Sequence, residues 1–263
     1  MPPTIGVFDS GFGGLTVLRA LLDLVPQANY LYFGDTARLP YGSKSVETVA
    51  KYAVEAAHFL EHQGAELLVI ACNTATALAL DQITHAAHVP VVGVVEPGAD
   101  RAAHATRSKK VVVVGTEATV TSHAYSKALH ALGVEAREKA CPLLVPLVEE
   151  GWIKHPVTEQ VAGIYLKEAF ADGFQTADVL VLGCTHYPLL KSVLRKAAPG
   201  HVTIVDSAES TARVVAERLG PQKSSGSGSL KFFATDSVEK FQRLGARFLG
   251  RPIEHVEHVD LKE

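Results

Sequence analysis

The chain has 263 residues and a net charge of −3 at pH 7, so it is long enough for one large or two moderate domains. Hydrophobic residues make up 47% of the sequence, which is ample for a packed core. Basic residues form no cluster longer than residues 107–110, so we expect no nucleic-acid partner. The apolar runs are far shorter than the ~20 residues of a membrane-spanning helix, and the first residues lack a secretory signal. We therefore expect a cytoplasmic protein with no membrane partner.

Strand-like runs alternate with helical patterns along the chain, which predicts βαβ units and a mainly parallel sheet. Apolar runs without alternation are typical of strands that are buried on both faces. The first half contains the pairs IGVF and LTVLRALLDLV, YLYFGD and VETVAKYAVEAAHFLEHQG, LLVIAC and TATALALDQITHAA, and VVGVV and GADRAAHATR. The second half contains the strands KKVVVVG, ADVLVLGC, HVTIVDS and LKFFATD, each with a helical pattern close by. The predicted fold class is α/β.

Two pairs of similar segments predict an internal repeat. The segments around Cys72 and Cys184 are separated by a little under half the chain, and so are IGVFDSGFGG and VVVVGTEATV. This spacing predicts two similar domains related by a pseudo-twofold axis, with the active site in the cleft between them. We expect one domain to comprise residues 1–97 plus 207–263 and the other residues 98–206. The low-complexity residues 224–229, SSGSGS, predict a flexible surface loop.

Cys72 and Cys184 each follow a buried strand and precede a helix start. Ligands bind at the carboxyl ends of parallel strands, and a helix start attracts negative charge, so we expect a lowered thiol pKa at both positions. A single such cysteine is as readily a buried apolar residue. Two at equivalent positions, followed by the polar Asn73 and Thr185, favour chemistry on two faces of one substrate. Three cysteines without Cys-x-x-Cys spacing indicate neither a disulfide framework nor a metal site, and Cys141 is interpreted as structural.

The segment DSGFGG after the first strand matches a dinucleotide-binding loop poorly. The third glycine of that motif is replaced by Thr16, and Asp9 places a negative charge where pyrophosphate would approach. A nucleotide, with Asp35 as the ribose-binding acid, remains the minor alternative. The favoured interpretation is a tight turn that directs Asp9 and Ser10 into the cleft, where a carboxylate and a hydroxyl can hold an ammonium group.

Three further positions are candidates for the cleft. Tyr41 and Gly42 offer backbone groups to a ligand, or else form a surface turn. Thr116 and Thr119 lie at a helix start, where they bind a carboxylate or simply cap the helix. His186 lies two residues after the second cysteine, where an imidazole can set the protonation state of the thiol.

Seven segments in the chain together resemble the bacterial glutamate racemases, within the cofactor-independent aspartate/glutamate racemase superfamily. They are DSGFGGLTVLR, YFGDTARLPYGSKS, ACNTATA, VVEPGA, VGTEATV, CPLLVPLVEEG and GCTHYPLL, in the expected order. The ACNTA and GCTHYP pair is the most specific of them. The resemblance implies that Cys72 and Cys184 are the catalytic acid and base. It implies substrate contacts at Asp9, Ser10, Tyr41, Gly42, Asn73, Thr74, Thr116, Thr119, Thr185 and His186, and a supporting role for Glu149.

The resemblance also implies a function. A glutamate racemase exchanges the α-hydrogen of L- and D-glutamate between two bases without a cofactor or metal, and its D-glutamate supplies peptidoglycan for the cell wall. We expect glutamate as the small-molecule partner and a homodimer as the assembly. The alternatives are a racemase of the same superfamily that acts on aspartate or another amino acid, a cysteine hydrolase that uses Cys184 with His186, and an amino-acid-binding module. The hydrolase leaves Cys72 without a role.

Overall fold

The computed structural model describes residues 2–221 and 226–261, which form two parallel β-sheets flanked by helices. The strands are β1 (Thr4–Asp9), β2 (Asn29–Gly34), β3 (Leu67–Ile70), β4 (Val91–Gly93), β5 (Lys110–Gly115), β6 (Glu135–Ala140), β7 (Val179–Gly183), β8 (Thr203–Asp206), β9 (Leu230–Ala234) and β10 (Glu257–His258). The helices are α1 (Leu15–Leu24), α2 (Val46–His62), α3 (Asn73–Ala86), α4 (Val95–Ala105), α5 (Glu117–Ser122), α6 (Ala124–Ala131), α7 (Leu144–Glu149), α8 (Pro156–Ala169), α9 (Lys191–Ala197), α10 (Ser207–Leu219) and α11 (Val238–Leu249).

The two sheets share a strand order. The first sheet runs β10-β9-β2-β1-β3-β4 and the second β6-β5-β7-β8, and every neighbouring pair is parallel. The order β2-β1-β3-β4 thus recurs as β6-β5-β7-β8, which places β3 and β7 at equivalent positions. The predicted α/β class with two mainly parallel sheets is confirmed, and the predicted repeat is visible in the strand order.

The central strands are fully buried, as their apolar composition predicts. Every residue of β3 and β7 is buried, because helices cover both faces of each sheet. Strand β3 ends two residues before Cys72, and β7 ends immediately before Cys184. The parallel arrangement brings their carboxyl ends to the same side as those of β1 and β5. The fold therefore delivers four strand ends, two from each sheet, to one region.

Two strands and one helix break differ from the predicted pattern. Strand β6 lies half-exposed at the edge of the second sheet and has the sequence EAREKA. Because this sequence contains no apolar run, the strand was not predicted. Strand β10 has only two residues. The helical pattern after β5 is divided into α5 and α6 at His123, which adopts the left-handed conformation with φ 56°.

The predicted domain boundaries fall close to changes of sheet, although the boundaries themselves stay a prediction. Residues 96–98, expected at the break, lie in the first turns of α4. Strand β8 ends at Asp206, where the chain was expected to return, and α10 begins at the next residue. Residues 224 and 225 of the predicted flexible loop lie outside the described residues, whereas Gly228 and Ser229 donate backbone hydrogen bonds to Pro26 and Asn29.

Within residues 2–221 and 226–261, no helix has both the length and the apolar character needed to cross a bilayer.

Candidate active site

A cavity of about 270 Å³ opens where the carboxyl ends of the two sheets meet. Eleven of the thirteen residues predicted for the site line it: Ser10, Tyr41, Gly42, Cys72, Asn73, Thr74, Thr116, Glu149, Cys184, Thr185 and His186. The remaining two, Asp9 and Thr119, lie behind the wall and are at most 1% exposed. The structure therefore brings both cysteines and residues from both sheets to one space.

Cys72 is the residue that caps helix α3. Its Sγ accepts a hydrogen bond from the backbone N–H of Ala75 at 3.4 Å, and its thiol donates to Ser10 Oγ at 3.4 Å. Burial and the negative charge of Asp9 raise the pKa of the Cys72 thiol to about 12, against these hydrogen bonds. The predicted lowering of its pKa is wrong, because desolvation outweighs the helix start. This pKa makes Cys72 a thiol at neutral pH.

Cys184 lies beside an imidazole rather than a hydroxyl. Its Sγ is 4.0 Å from His186 Nδ1, and His186 Nε2 is 3.3 Å from Glu149 Oε1. Burial lowers the pKa of His186, but its interactions with Cys184 and Glu149 outweigh burial and raise this pKa to about 10. The hydrogen bond from His186 lowers the pKa of Glu149. His186 is therefore a cation at neutral pH, held between a carboxylate and a sulfur.

Helix α11 supports this side of the cavity. The ring of Phe248 packs edge-on against His186, with 5.0 Å between ring centroids. Lys240 extends from the same helix and contributes positive charge that lowers the pKa of Glu149. Helix α11 thus contacts the ring of His186 and lowers the pKa of its partner Glu149.

Asp9 ends strand β1 beneath the cavity. Its Oδ2 accepts from the backbone N–H of Gly11 at 2.9 Å, whereas Oδ1 has no hydrogen-bond partner in the described part of the chain. Burial raises the pKa of Asp9, although the positive charge of His186 opposes this. The structure therefore directs Ser10, but not the Asp9 side chain, to the cavity wall. Electrostatic interaction with Asp9 raises the pKa of Cys72, and interaction with His186 lowers the pKa of Asp9.

Three threonines join the two halves at the cavity. Thr74 Oγ1 lies 3.0 Å from Thr116 Oγ1 and 3.4 Å from Thr119 Oγ1, and the last two hydroxyls are 2.9 Å apart. Thr116 also caps α5 by accepting from the N–H of Thr119. The capping interpretation of Thr116 is therefore correct, and the same residue lines the cavity.

Asp35 and Arg38 hold the cavity segment that contains Tyr41. Asp35 is fully buried and accepts hydrogen bonds from Arg38 Nε, the Tyr41 hydroxyl and Thr235 Oγ1. The guanidinium of Arg38 also stacks over the ring of Tyr52, 4.0 Å from its centroid. Because Asp35 is committed to these partners, it is not available to bind a ribose.

Sequence reasoning missed nine lining residues. They are Gly11, Phe12, Leu39, Pro40, Ser43, Glu117, Pro142, Val145 and Pro146. Six of the nine lie within two residues of a predicted residue along the chain, so proximity in sequence was the available signal. The three from the CPLLVPLVEEG segment had no such signal, because their position follows from how α7 packs beside Cys184. Cys141, interpreted as structural, is fully buried and does not line the cavity.

The chain matches a known family over most of its length. The model of the Asp/Glu/Hydantoin racemase family matches residues 5–215. The chain belongs to that family. The racemase resemblance of the sequence motifs is confirmed at this level.

Several similar proteins match nearly the whole chain. A glutamate racemase from Koribacter versatilis is 60% identical, over 98% of both chains. The structure of a glutamate racemase isoform from Bacillus anthracis is 38% identical, with a TM-score of 0.92 and 98% of each chain covered. A glutamate racemase from Francisella tularensis, solved in complex with D-glutamate, is 34% identical with a TM-score of 0.90 over 98% of each chain. These structures share the two-sheet fold described above.

Among the described residues, no cluster of three or more His, Cys, Asp or Glu side chains is arranged to hold a metal ion.

Proposed function

We propose that this chain interconverts L- and D-glutamate, with Cys72 and Cys184 as the two bases. The observation that carries the proposal is that two buried cysteines, at equivalent positions of two similar sheets, line one cavity. A base from each half suits a reaction in which a hydrogen leaves one face of the α-carbon and another arrives on the opposite face. The names of the similar proteins support glutamate as the substrate.

The proposed reaction consists of two proton transfers. A thiolate on one side removes the α-hydrogen as a proton and becomes a thiol, and the electron pair stays on the substrate carbon and carboxylate. The thiol on the other side donates its proton to the opposite face of that carbon and becomes a thiolate. For the reverse direction the two cysteines exchange roles, so the protein returns to its starting state after one forward and one reverse turnover.

The two sides of the cavity differ in charge. Positive His186 beside Cys184 can stabilise negative charge on that sulfur, whereas Cys72 depends on Ser10 and the start of α3. When Cys184 removes the α-hydrogen, Cys72 must begin as the protonated thiol that donates to the opposite face. The raised pKa of Cys72 is consistent with this starting state. Substrate of the opposite hand requires the opposite starting state, which bound substrate and its charges must then induce.

Donors around the cavity suit the substrate carboxylates. Asn73 Nδ2 is buried and has no hydrogen-bond partner among the described residues. The hydroxyls of Thr74, Thr116 and Thr185 lie on the same walls, with the backbone of Gly42 opposite Thr116. We assign these groups to the carboxylates, because preorganised donors stabilise the charge that develops next to the α-carbon. Exclusion of water from a cavity this small strengthens each contact.

The proposal also covers the pathway that uses the product, the assembly and the domains. We propose that the D-glutamate supplies peptidoglycan synthesis in the cytoplasm, that the chain works as a homodimer without a cofactor, and that residues 1–97 plus 207–263 and 98–206 act as its two domains. Neither a membrane nor a nucleic acid is part of this proposal.

The test is racemisation of L-glutamate by purified protein with no cofactor added, followed by optical rotation. Cys72→Ala and Cys184→Ala should each lower the rate at least 1,000-fold, because neither thiol serves both faces. Cys141→Ala, at a buried cysteine that does not line the cavity, is the matched control and should keep most of the activity. Faster racemisation of L-aspartate than of L-glutamate would refute the substrate, and substantial activity in either active-site variant would refute the two-base mechanism.

A further inference from the structure

Tyr125 connects the second half of the chain to a cavity residue of the first half. It lies on α6, is fully buried, and donates a hydrogen bond from its hydroxyl to Asn73 Oδ1 at 2.8 Å. Asn73 is the first residue of α3, directly after Cys72. The bond therefore joins the cores of the two halves at the residue next to a proposed base.

The hydrogen bond fixes which end of the Asn73 amide is left without a protein partner. An amide has an acceptor end and a donor end, and its last torsion has two orientations of similar intrinsic energy. With Oδ1 held by Tyr125, Nδ2 has no partner among the described residues, and Asn73 lines the cavity. If the amide were reversed, this unpartnered position would hold a carbonyl oxygen, which cannot donate a hydrogen bond to an anionic substrate.

The Tyr125 ring is held tightly enough to impose this choice. A Cβ at Gly98 would lie 3.2 Å from the Tyr125 hydroxyl, and a Cβ at Gly183 would lie 3.0 Å from its ring. The two glycines thus form a narrow slot that larger residues would close. Burial raises the pKa of Tyr125 above its ordinary value, so the hydroxyl keeps its proton.

We propose that Tyr125 is a positioning residue: its hydroxyl fixes the Asn73 amide with the N–H₂ group toward the cavity, where it binds a carboxylate of the substrate. This inference rests on the proposed function, since it assumes an anionic amino acid in the cavity. Tyr125 itself touches neither the substrate nor the moving protons. It acts on binding across the boundary between the two halves.

The test is a double-variant cycle read out as kcat and KM for glutamate. Tyr125→Phe removes one oxygen and should raise KM about tenfold, because Asn73 loses its fixed orientation and its buried oxygen loses a donor. Added to Asn73→Ala, the same substitution should change KM less than twofold, since the group on which it acts is gone. Gly98→Ala should raise KM in the same direction by displacing the hydroxyl without removing it.

A matched control separates positioning from general destabilisation. Tyr30 is another fully buried tyrosine, and its hydroxyl bonds to Leu21 O and Val25 O, away from the cavity lining. Tyr30→Phe should lower thermal stability and leave KM unchanged. The inference is overturned if Tyr125→Phe leaves KM unchanged, or raises it by the same factor in the wild-type protein and in the Asn73→Ala variant. Wild-type protein assayed in the same series shows separately whether glutamate is racemised at all.

Discussion

The charge of His186 depends on its neighbours. Its pKa of about 10, against an ordinary 6.5, depends on Cys184 and Glu149 overcoming burial. A raised pKa in the folded state means that the charged ring stabilises the fold fully below about pH 6.5. This stabilisation is lost as the pH rises through about 10. The same range of pH determines whether a cation stands beside Cys184.

Glu149→Gln tests this dependence. The amide keeps the shape of the side chain but removes its negative charge, so His186 should lose its proton at lower pH than in the wild type. We expect the alkaline limb of the kcat/KM profile to shift to lower pH, and the alkaline loss of stability to shift with it. NMR titration of the His186 ring, assigned by comparison with His186→Asn, checks the cause directly. An unchanged alkaline limb would show that Glu149 does not control this proton.

At the scale of elements, the turn between β1 and α1 brings the first half against the second. A Cβ placed on Gly13 would collide with Thr185 Oγ1 and would lie 2.6 Å from His186 Nδ1. Thr16 from the start of α1 also donates a hydrogen bond to the carbonyl of Thr185 at 3.0 Å. The glycine is required here for close approach rather than for an unusual backbone angle.

Gly13→Ala should therefore damage catalysis more than folding. The added methyl must displace Thr185 or His186, so we expect kcat/KM to fall at least tenfold while the protein remains folded. Gly163→Ala is the matched control, because a Cβ at that position on α8 meets nothing within 4 Å. That variant should keep full activity and gain up to about 1 kcal/mol of stability, because alanine favours a helix. Equal kcat/KM in the two variants would contradict the close contact at Gly13.

Strands with a long apolar run could be predicted from the sequence, and strands without one could not. Buried strands such as β3 and β7 were predictable because an unbroken run of apolar residues has few other uses. The charged β6 was not, since an edge strand is defined by its neighbour rather than by its own residues. The turn at His123 was not predictable either, because most histidines do not adopt the left-handed conformation found there.

At the scale of the whole molecule, the site forms where the strand ends of the two sheets meet, and each sheet contributes residues to it. The cysteines and most cavity residues were predictable, because their motifs lie at strand ends. The burial of Asp9 beneath the cavity was not, because the depth of a carboxylate below a cavity depends on packing. The roles of Tyr125 and Arg38 were not predictable either. Tyr125 donates to Asn73, which is distant in the chain, and Arg38 acts on the cavity through its hydrogen bond to Asp35.

The two-base mechanism is tested most directly by racemisation of L-glutamate in deuterium oxide. Each cysteine exchanges its proton with solvent, so the proton delivered to the product comes from a different thiol than the one that accepted the substrate hydrogen. In the first turnovers, separation of the isomers and mass spectrometry should show deuterium at the α-carbon of D-glutamate, while the remaining L-glutamate stays unlabelled. The reverse should hold when D-glutamate is the substrate. Early deuterium at comparable levels in both isomers would contradict the mechanism, because a single base serving both faces would label both alike.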